Sequence, residues 1–259
     1  MTNNNPIGLF DSGIGGTSIW REINELLPNE NTIYLADSKN APYGQKSKEE
    51  IIALSIKNTE FLLEQNCKII VVACNTATTN AIKELRAKYK VPFIGIEPAI
   101  KPAALNSKTH TIGILATKGT LNSELFHETS RKFQDIKIIE QIGYNLVSLI
   151  ENGEINSAEM NSLLYQYLKP MVEANIDYLV LGCSHYPYLI PQIKKILPKR
   201  IKIIDSGEAV ARQTKKVLEE NNTLNLSNKK GETIFYTNSD SKVLKTILNG
   251  NFEVIEKDF

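Results

Sequence analysis

The sequence has few cysteines, no long apolar run and no excess of charge of either sign. Its three cysteines, an odd number in 259 residues, do not form a disulfide framework and are typical of a cytoplasmic protein with reduced thiols. No apolar run reaches the roughly 18 residues that a membrane helix needs. The polar start, Met1–Asn5, lacks the charged-then-apolar order of a signal peptide. We therefore expect a soluble, cytoplasmic chain with no membrane partner.

The signatures of nucleic-acid, metal and nucleotide binding are missing as well. Lys plus Arg total 30 and Asp plus Glu total 29, a net charge of +1, so no basic face for a nucleic acid is predicted. The sequence has no Cys-x-x-Cys motif and no pair of histidines at a ligand spacing, so it predicts no metal site. The glycines of Gly8–Gly16 do not fit the dinucleotide fingerprint, and no Gly-Lys-Ser/Thr ending makes them a phosphate loop.

Short apolar runs alternate with longer amphipathic stretches along the chain. Ile69–Ala73 is apolar without a break, as in a strand that is buried on both faces. The alternation predicts an α/β fold with mainly parallel sheets flanked by helices. The predicted strands are Ile7–Phe10, Thr32–Ala36, Ile69–Ala73, Phe93–Ile96, Thr111–Leu115, Tyr178–Leu181, Ile201–Ile204 and, near the end, Thr233–Tyr236. The predicted helices are Thr17–Leu27, Ser47–Glu64, Thr76–Lys88, Ser123–Lys132, Ser157–Ala174, Tyr188–Leu197, Glu208–Glu220 and Ser239–Leu248.

The chain also resembles itself at an offset of about 105 to 109 residues. Such a repeat predicts two similar α/β domains, although βα units in general resemble one another. We expect the first domain to be discontinuous, with residues 1–97 plus 207–259, and the second to hold residues 98–206. The matching pairs are Ile7–Phe10 with Ile112–Leu115, Val71–Cys74 with Val180–Cys183, and Pro92–Glu97 with Arg200–Asp205.

Cys74 and Cys183 end equivalent strands of the two predicted domains. Ligands of parallel sheets bind beyond the carboxyl ends of the strands, so the two thiols are expected to face one cleft that forms the active site. A helix begins after each cysteine, and a helix N-terminus lowers the cost of negative charge on a thiolate or a bound carboxylate. A modest lowering of the thiol pKa from about 8.5 would give a thiolate near neutral pH. The alternative is that either cysteine is a small buried hydrophobe, which is how we interpret Cys67.

Three further features can serve these thiols. His185, two residues after Cys183, can take a proton from it, or it can be a structural histidine. Asp11 ends the first strand and can bind an ammonium group or relay a proton, or it can be a helix cap. The N–H groups of the glycines in Gly8–Gly16, and of the turn Ala41–Gly44, are suited to an anion.

Taken in order, the motifs resemble glutamate racemases of the aspartate/glutamate racemase superfamily over nearly the whole chain. The resemblance implies a cofactor-independent enzyme of two α/β domains that interconverts L- and D-glutamate for peptidoglycan, as a homodimer in the cytoplasm. Ser184 departs from the family, which more often has Thr, but it keeps the hydroxyl. The motifs are Gly8–Gly16, Ala36-Asp37, Pro42-Tyr43-Gly44, Ala73–Ala77, Gly95–Pro98, Gly113–Thr120, Gly182–Pro187 and Asp205-Ser206-Gly207.

The resemblance also implies a role for each residue of the site. Cys74 takes the Cα proton from D-glutamate with help from Asp11. Cys183 takes it from L-glutamate with help from His185 and from Glu151, which the sequence alone would make an exposed carboxylate near a turn. The substrate-binding residues are expected to be Asp11, Ser12, Tyr43, Gly44, Asn75, Thr76, Ser184 and His185, with Ser12, Tyr43 and Gly44 at the side-chain carboxylate and Asn75, Thr76 and Ser184 at the α-carboxylate.

Three other functions stay open at this point. An aspartate racemase would need a pocket that is shorter by only one methylene. A non-catalytic binding protein for an acidic amino acid would carry the thiols without using them. A dithiol redox protein would join the two cysteines, but their separate strand-end motifs argue against it.

Overall fold

The computed structural model describes residues 3–259. Met1 and Thr2, at the start of the polar segment that we did not interpret as a signal peptide, lie outside the described residues. Within residues 3–259 no helix has the length and apolar character to cross a membrane. The fold consists of two parallel sheets with helices packed against them, so the predicted α/β class is confirmed.

The first sheet has six strands in the order β10-β9-β2-β1-β3-β4, and every neighbouring pair is parallel. Its central strands are buried on both faces, which explains their unbroken apolar sequences. The last two strands of the chain return to this sheet and extend it beyond β2. The strands are β1 Ile7–Asp11, β2 Thr32–Ala36, β3 Ile69–Val72, β4 Phe93–Gly95, β9 Thr233–Thr237 and β10 Glu253–Glu256.

The second sheet has four parallel strands in the order β6-β5-β7-β8. This order matches β2-β1-β3-β4 of the first sheet strand for strand, as the internal repeat predicts. Strands β3 and β7, which lead to Cys74 and Cys183, therefore hold the same position in their sheets. The strands are β5 Thr111–Ala116, β6 Lys137–Ile142, β7 Tyr178–Gly182 and β8 Lys202–Ile204.

Helices connect the strands and cover the sheets. Several begin at a residue whose hydroxyl caps the first turn; for example, Ser47 and Glu50 form a reciprocal capping box at the start of α2. Helix α1 packs against α10, and α2 packs against α3. The helices are α1 Thr17–Leu26, α2 Lys48–Glu64, α3 Asn75–Lys88, α4 Ile100–Asn106, α5 Lys118–Leu121, α6 Glu124–Ser130, α7 Leu146–Glu151, α8 Ala158–Glu173, α9 Ile190–Ile196, α10 Gly207–Glu220 and α11 Lys242–Ile247.

Two strands, β6 and β10, and three short helices, α4, α5 and α7, escaped the sequence prediction, and two predicted helices differ from the structure. The three missed helices have seven, four and six residues, too few for a clear amphipathic pattern. Strands β6 and β10 lie at sheet edges and are only partly buried, so they lack the apolar run that marks the central strands. The helix predicted over Tyr188–Leu197 divides into a 3-10 turn, Tyr186–Leu189, followed by α9, because prolines stand at the start of both. The last helix begins at Lys242 rather than Ser239.

Candidate active site

Cys74 and Cys183 stand just beyond the carboxyl ends of the equivalent strands β3 and β7. Both side chains are buried, with 4% and 6% of their surface exposed. Both are free thiols, as is Cys67. The two thiols are near enough for the charge of Cys183 to contribute to raising the pKa of Cys74. The structure thus places them in one buried region between the sheets.

Cys74 is the N-cap of α3, and its sulfur accepts the N–H of Ala77 at 3.4 Å. The Sγ also lies 3.8 Å from Ser12 Oγ. Burial, followed by the charge of Asp11, raises the pKa of the Cys74 thiol, and the Ala77 and Ser12 contacts only partly oppose this. The direction is opposite to the modest lowering expected from the sequence, because burial outweighs the helix N-terminus. The protein around Cys74 favours the neutral thiol.

Cys183 has an imidazole beside it. Its Sγ lies 3.8 Å from His185 Nδ1, and His185 Nε2 lies 2.5 Å from Glu151 Oε1. Burial acts to lower the pKa of His185, but the hydrogen bonds to Cys183 and Glu151 outweigh it and hold that pKa well above its ordinary value of 6.5. The three side chains form a chain of proton-carrying groups that ends at the thiol.

Glu151 is the last residue of α7, and only 12% of its side chain is exposed, so the interpretation of it as an exposed carboxylate is wrong. Its Oε1 accepts the N–H of Ile14 at 2.7 Å, and its Oε2 accepts the hydroxyl of Ser38 at 2.9 Å. The loop after β1 was expected to present its N–H groups to an anion. One anion that it binds is a carboxylate of the protein itself.

Asp11 ends β1 and is completely buried. Its Oδ2 accepts the N–H of Gly13 at 3.0 Å, and its Oδ1 accepts the hydroxyl of Ser184 at 2.9 Å. Burial raises the pKa of Asp11, against the opposing effects of His185 and the Ser184 hydrogen bond. Because Ser184 follows Cys183 directly, Asp11 of the first sheet contacts the cysteine loop of the second.

Asn75 has a buried side chain that is left without partners. Only 2% of the residue is exposed, and neither its Oδ1 nor its Nδ2 has a hydrogen-bond partner among the described residues. An unpaired buried amide costs about 1–3 kcal/mol, so such a group calls for a ligand that supplies both a donor and an acceptor. The amino and carboxylate groups of an amino acid supply both.

Thr76 joins a cluster of three hydroxyls that crosses between the sheets. Its Oγ1 lies 2.8 Å from Thr117 Oγ1 and 3.3 Å from Thr120 Oγ1. Neither Thr117 nor Thr120 is among the site residues predicted from the sequence. The signal was present, because Thr117 directly follows the end of β5, as Ser12 follows the end of β1.

Tyr43 and Gly44 lie in the turn after the second strand. The Tyr43 hydroxyl donates to Asp37 Oδ2 and accepts Asn58 Nδ2 at 3.1 Å, so in this structure it anchors the turn. Gly44 has no room for a side chain, because a Cβ there would overlap Thr117. Through this turn the first sheet meets the start of α5.

A cavity of about 650 Å³ opens next to this turn, and its wall consists mainly of loops and helices that connect the strands of the two sheets. Neither Cys74 nor Cys183 lines it, so it adjoins the thiol site without containing it. Gly44 and Thr117 belong to its wall, and four of its lining residues are lysines: Lys46, Lys48, Lys83 and Lys118.

The remaining reactive side chains lie apart from the site. Cys67 is 5% exposed, its sulfur lies next to Gly8, and burial raises its pKa to about 12. His110 and His127 make no contact with the two site cysteines in the described residues. Across residues 3–259 no group of three or more His, Cys, Asp or Glu side chains is arranged to hold a metal ion.

Comparison with known proteins agrees with this geometry. The family model described as Asp/Glu/Hydantoin racemase matches residues 7–214. The chain is 49% identical over 214 residues, 82% of its length, to a glutamate racemase of Ralstonia pickettii, of which the match covers 76%. Its fold is similar to a glutamate racemase isoform of Bacillus anthracis, with a TM-score of 0.89, 30% identity and coverage of 99% of this chain and 98% of that one. It is also similar to the glutamate racemase of Francisella tularensis solved in complex with D-glutamate, with a TM-score of 0.85, 31% identity and coverage of 99% and 98%. The chain belongs to the Asp/Glu/hydantoin racemase family of isomerases.

Proposed function

We propose that this protein interconverts L- and D-glutamate by moving the Cα proton between two thiols. The observation that carries the proposal is the placement of Cys74 and Cys183 at equivalent strand ends, each beside its own proton-active group. Relatives named glutamate racemase, one of them 49% identical, support glutamate as the substrate. The complex of the Francisella protein with D-glutamate supports it further.

The chemistry inverts Cα in two proton transfers. Cys183 as thiolate removes the Cα proton of L-glutamate, the electron pair of the C–H bond passes into the α-carboxylate, and the Cys74 thiol donates its proton to the opposite face. Afterwards Cys183 is the thiol and Cys74 the thiolate, and D-glutamate reacts by the reverse course. The neutral thiol favoured at Cys74 suits the first direction, in which it acts as the acid.

The proton-active partners give each thiol a way to ionise. His185 and Glu151 stabilise the charges that form when Cys183 loses its proton, since a protonated imidazole beside the sulfur favours the thiolate. Asp11 is placed to hold the substrate ammonium group and to assist Cys74. A cation there also favours a thiolate at Cys74, which counteracts the effects of burial and of Asp11.

The substrate is held by preorganised polar groups, and the reaction needs no cofactor in this proposal. Asn75, Thr76 and Ser184 bind the α-carboxylate, where each well-placed donor can contribute about 3 kcal/mol as charge builds up. Asn75 supports this assignment most directly, because its amide lacks partners. Ser12, Tyr43 and Gly44 form the side-chain carboxylate pocket, Tyr43 by anchoring the turn that presents Gly44.

The same proposal includes the biological setting. D-glutamate made in the cytoplasm supplies peptidoglycan synthesis, and the enzyme acts as a homodimer without nucleic-acid or membrane partners. Residues 1–97 plus 207–259 form one domain and residues 98–206 the other, with the substrate enclosed between them.

Deuterium transfer from solvent tests the activity. Purified protein is incubated with L-glutamate in heavy water, and the amino acid is analysed for chirality and for deuterium at Cα. We expect D-glutamate that carries Cα deuterium, with Cys183→Ala, which lacks the thiol that takes the proton from L-glutamate, as the inactive control. A binding protein would return unlabelled L-glutamate, and an aspartate racemase would label aspartate faster than glutamate.

A further inference from the structure

Glu151 joins the two halves of the site. It is the last residue of α7, which follows β6 of the second sheet, yet two of its three hydrogen-bond partners come from loops of the first sheet. Ile14 lies in the loop after β1, and Ser38 lies just after β2. The third partner, His185, follows β7 of the second sheet. The Glu151 carboxylate therefore lies where the loops of the two sheets meet, and it hydrogen-bonds to both.

The two carboxylate oxygens have separate partners. Oε1 lies 2.5 Å from His185 Nε2 and accepts the N–H of Ile14 at 2.7 Å, whereas Oε2 accepts the Ser38 hydroxyl at 2.9 Å. Rotation about the last bond of a glutamate side chain is soft, so a carboxylate held by one oxygen alone can turn. With Oε2 held by Ser38, the carboxylate plane is fixed, and Oε1 faces the imidazole.

The first-sheet side of this contact is built for close approach. A Cβ at Gly13 would overlap the Glu151 carboxylate, and one at Gly15 would overlap the His185 ring. The loop that contains them is itself fixed, because the Tyr34 hydroxyl donates to the Gly13 carbonyl at 2.8 Å. The N–H of Ile14, in this fixed loop, and the hydroxyl of Ser38 therefore hold the Glu151 carboxylate together. Of these two donors, only the hydroxyl can be removed by substituting a side chain.

We propose that Ser38 is a positioning residue for the Cys183 half of the reaction, acting by holding Glu151 against His185. This rests on the proposed function, in which the imidazole serves Cys183. Fixing Nε2 on Glu151 directs Nδ1 to the sulfur, since the hydrogen bond at one ring nitrogen sets what the other can do. Partners of this kind, one contact removed from the reacting group, typically change activity by about 10- to 100-fold.

The titratable groups that face His185 are Cys183 on its own loop, Glu151 at the end of α7 and Asp11 at the end of β1. Only the Glu151 contact depends on Ser38. Loss of the hydroxyl should therefore lower the pKa of His185 toward its ordinary value while Asp11 and Cys183 stay in place.

The variants Ser38→Ala and Ser38→Thr, with Ser47→Ala as a matched control, test the proposal. Ser47 caps α2 in the same part of the chain, and among the described residues its hydroxyl hydrogen-bonds only to Glu50 of that helix, so its loss lowers the melting temperature without affecting the chemistry. Because the two enantiomers are equally stable, kcat/KM falls equally in both directions for Ser38→Ala, by about tenfold. The primary isotope effect on kcat/KM rises for Cα-deuterated L-glutamate, from which Cys183 takes the proton, and falls for D-glutamate. Ser38→Thr restores the wild-type values, and Ser47→Ala leaves them unchanged.

A second measurement does not depend on turnover. The three histidines are labelled with ¹⁵N, and His185 is assigned by its absence in His185→Gln. We expect its pKa to fall in Ser38→Ala and to return in Ser38→Thr. An unchanged pKa, or a loss of activity that leaves the ratio of the two isotope effects unaltered, overturns the positioning role. Wild-type protein that exchanges no Cα proton refutes the proposed function instead, while the histidine titration still reports on Ser38.

Discussion

Cys74 and Cys183 occupy the same position in two sheets of matching strand order, but their surroundings differ. Cys183 has an imidazole 3.8 Å away, and that imidazole is paired with Glu151. Cys74 has a backbone N–H, the Ser12 hydroxyl and the nearby charge of Asp11. The repeated fold therefore supplies equal positions, while the loops supply different means of handling a proton.

The difference indicates how one site can act on two enantiomers. The thiol that is buried beside a carboxylate is kept neutral, and the other thiol has beside it a histidine whose pKa is raised. In the proposed mechanism one side removes a proton from one face of Cα and the other side returns one to the opposite face.

The largest effect is expected from removing either thiol. Cys74→Ala or Cys183→Ala deletes a proton donor or acceptor outright, so racemisation should fall by about 10³-fold or more. Circular dichroism of the amino acid, followed from each enantiomer, measures the loss. Any remaining Cα exchange should be confined to L-glutamate in Cys74→Ala and to D-glutamate in Cys183→Ala. Near-normal turnover by either variant contradicts the two-thiol mechanism.

Substitution of the residue that assists each thiol should reduce activity by a smaller factor. The two substitutions should differ in which enantiomer shows the larger isotope effect. We expect Asp11→Asn and His185→Asn each to reduce kcat/KM by about 10²-fold, equally in both directions. In His185→Asn the isotope effect should grow with Cα-deuterated L-glutamate, and in Asp11→Asn with the D enantiomer. The same isotope pattern in both variants would mean that the two residues serve one thiol or neither.

Part of this site could be predicted from local sequence. Asp11, Cys74 and Cys183 each follow an apolar strand directly, and the rule that ligands bind at the carboxyl ends of strands selected all three. Thr117 satisfies the same rule at the end of β5, and we did not apply it there. The matching strand order followed from a repeat that is visible in the sequence.

The other part depends on contacts between distant segments. Ile14 and Glu151 are 137 positions apart, and nothing near Glu151 in the sequence shows that it meets a buried histidine. Helix α7 has only six residues, too few for a clear amphipathic pattern, and β6 is a partly buried edge strand. The raised pKa of Cys74 also depends on tertiary burial, which opposes the local effect of the helix N-terminus.

The two sides should differ in the way that pH affects stability. Burial acts to lower the pKa of His185, but its hydrogen bonds hold that pKa well above 6.5, so the folded chain keeps a proton that the unfolded chain loses. The free energy of unfolding should therefore fall as the pH rises from 6.5 toward the folded pKa, by about 1.4 kcal/mol per pH unit. Cys74 adds a loss of the same sign only above the ordinary pKa of a thiol, about 8.5. Urea unfolding between pH 6.5 and about 8.5, compared with His185→Gln, isolates the histidine. Parallel curves for the two proteins would contradict the raised pKa.

The smallest effect on activity is expected from substituting the third cysteine, Cys67. This thiol is buried but lies outside the site, so it shows what burial does without a role in the reaction. Cys67 is as buried as the two site thiols, and its pKa is raised to about 12, but burial is the only cause, and no charged group takes part. Its sulfur lies against Gly8, so Cys67→Ala should cost on the order of 1 kcal/mol of stability and leave kcat/KM unchanged. Urea unfolding and racemase assays on the same preparation measure both quantities. If Cys67→Ala lost activity at full stability, a third sulfur would have to enter the mechanism.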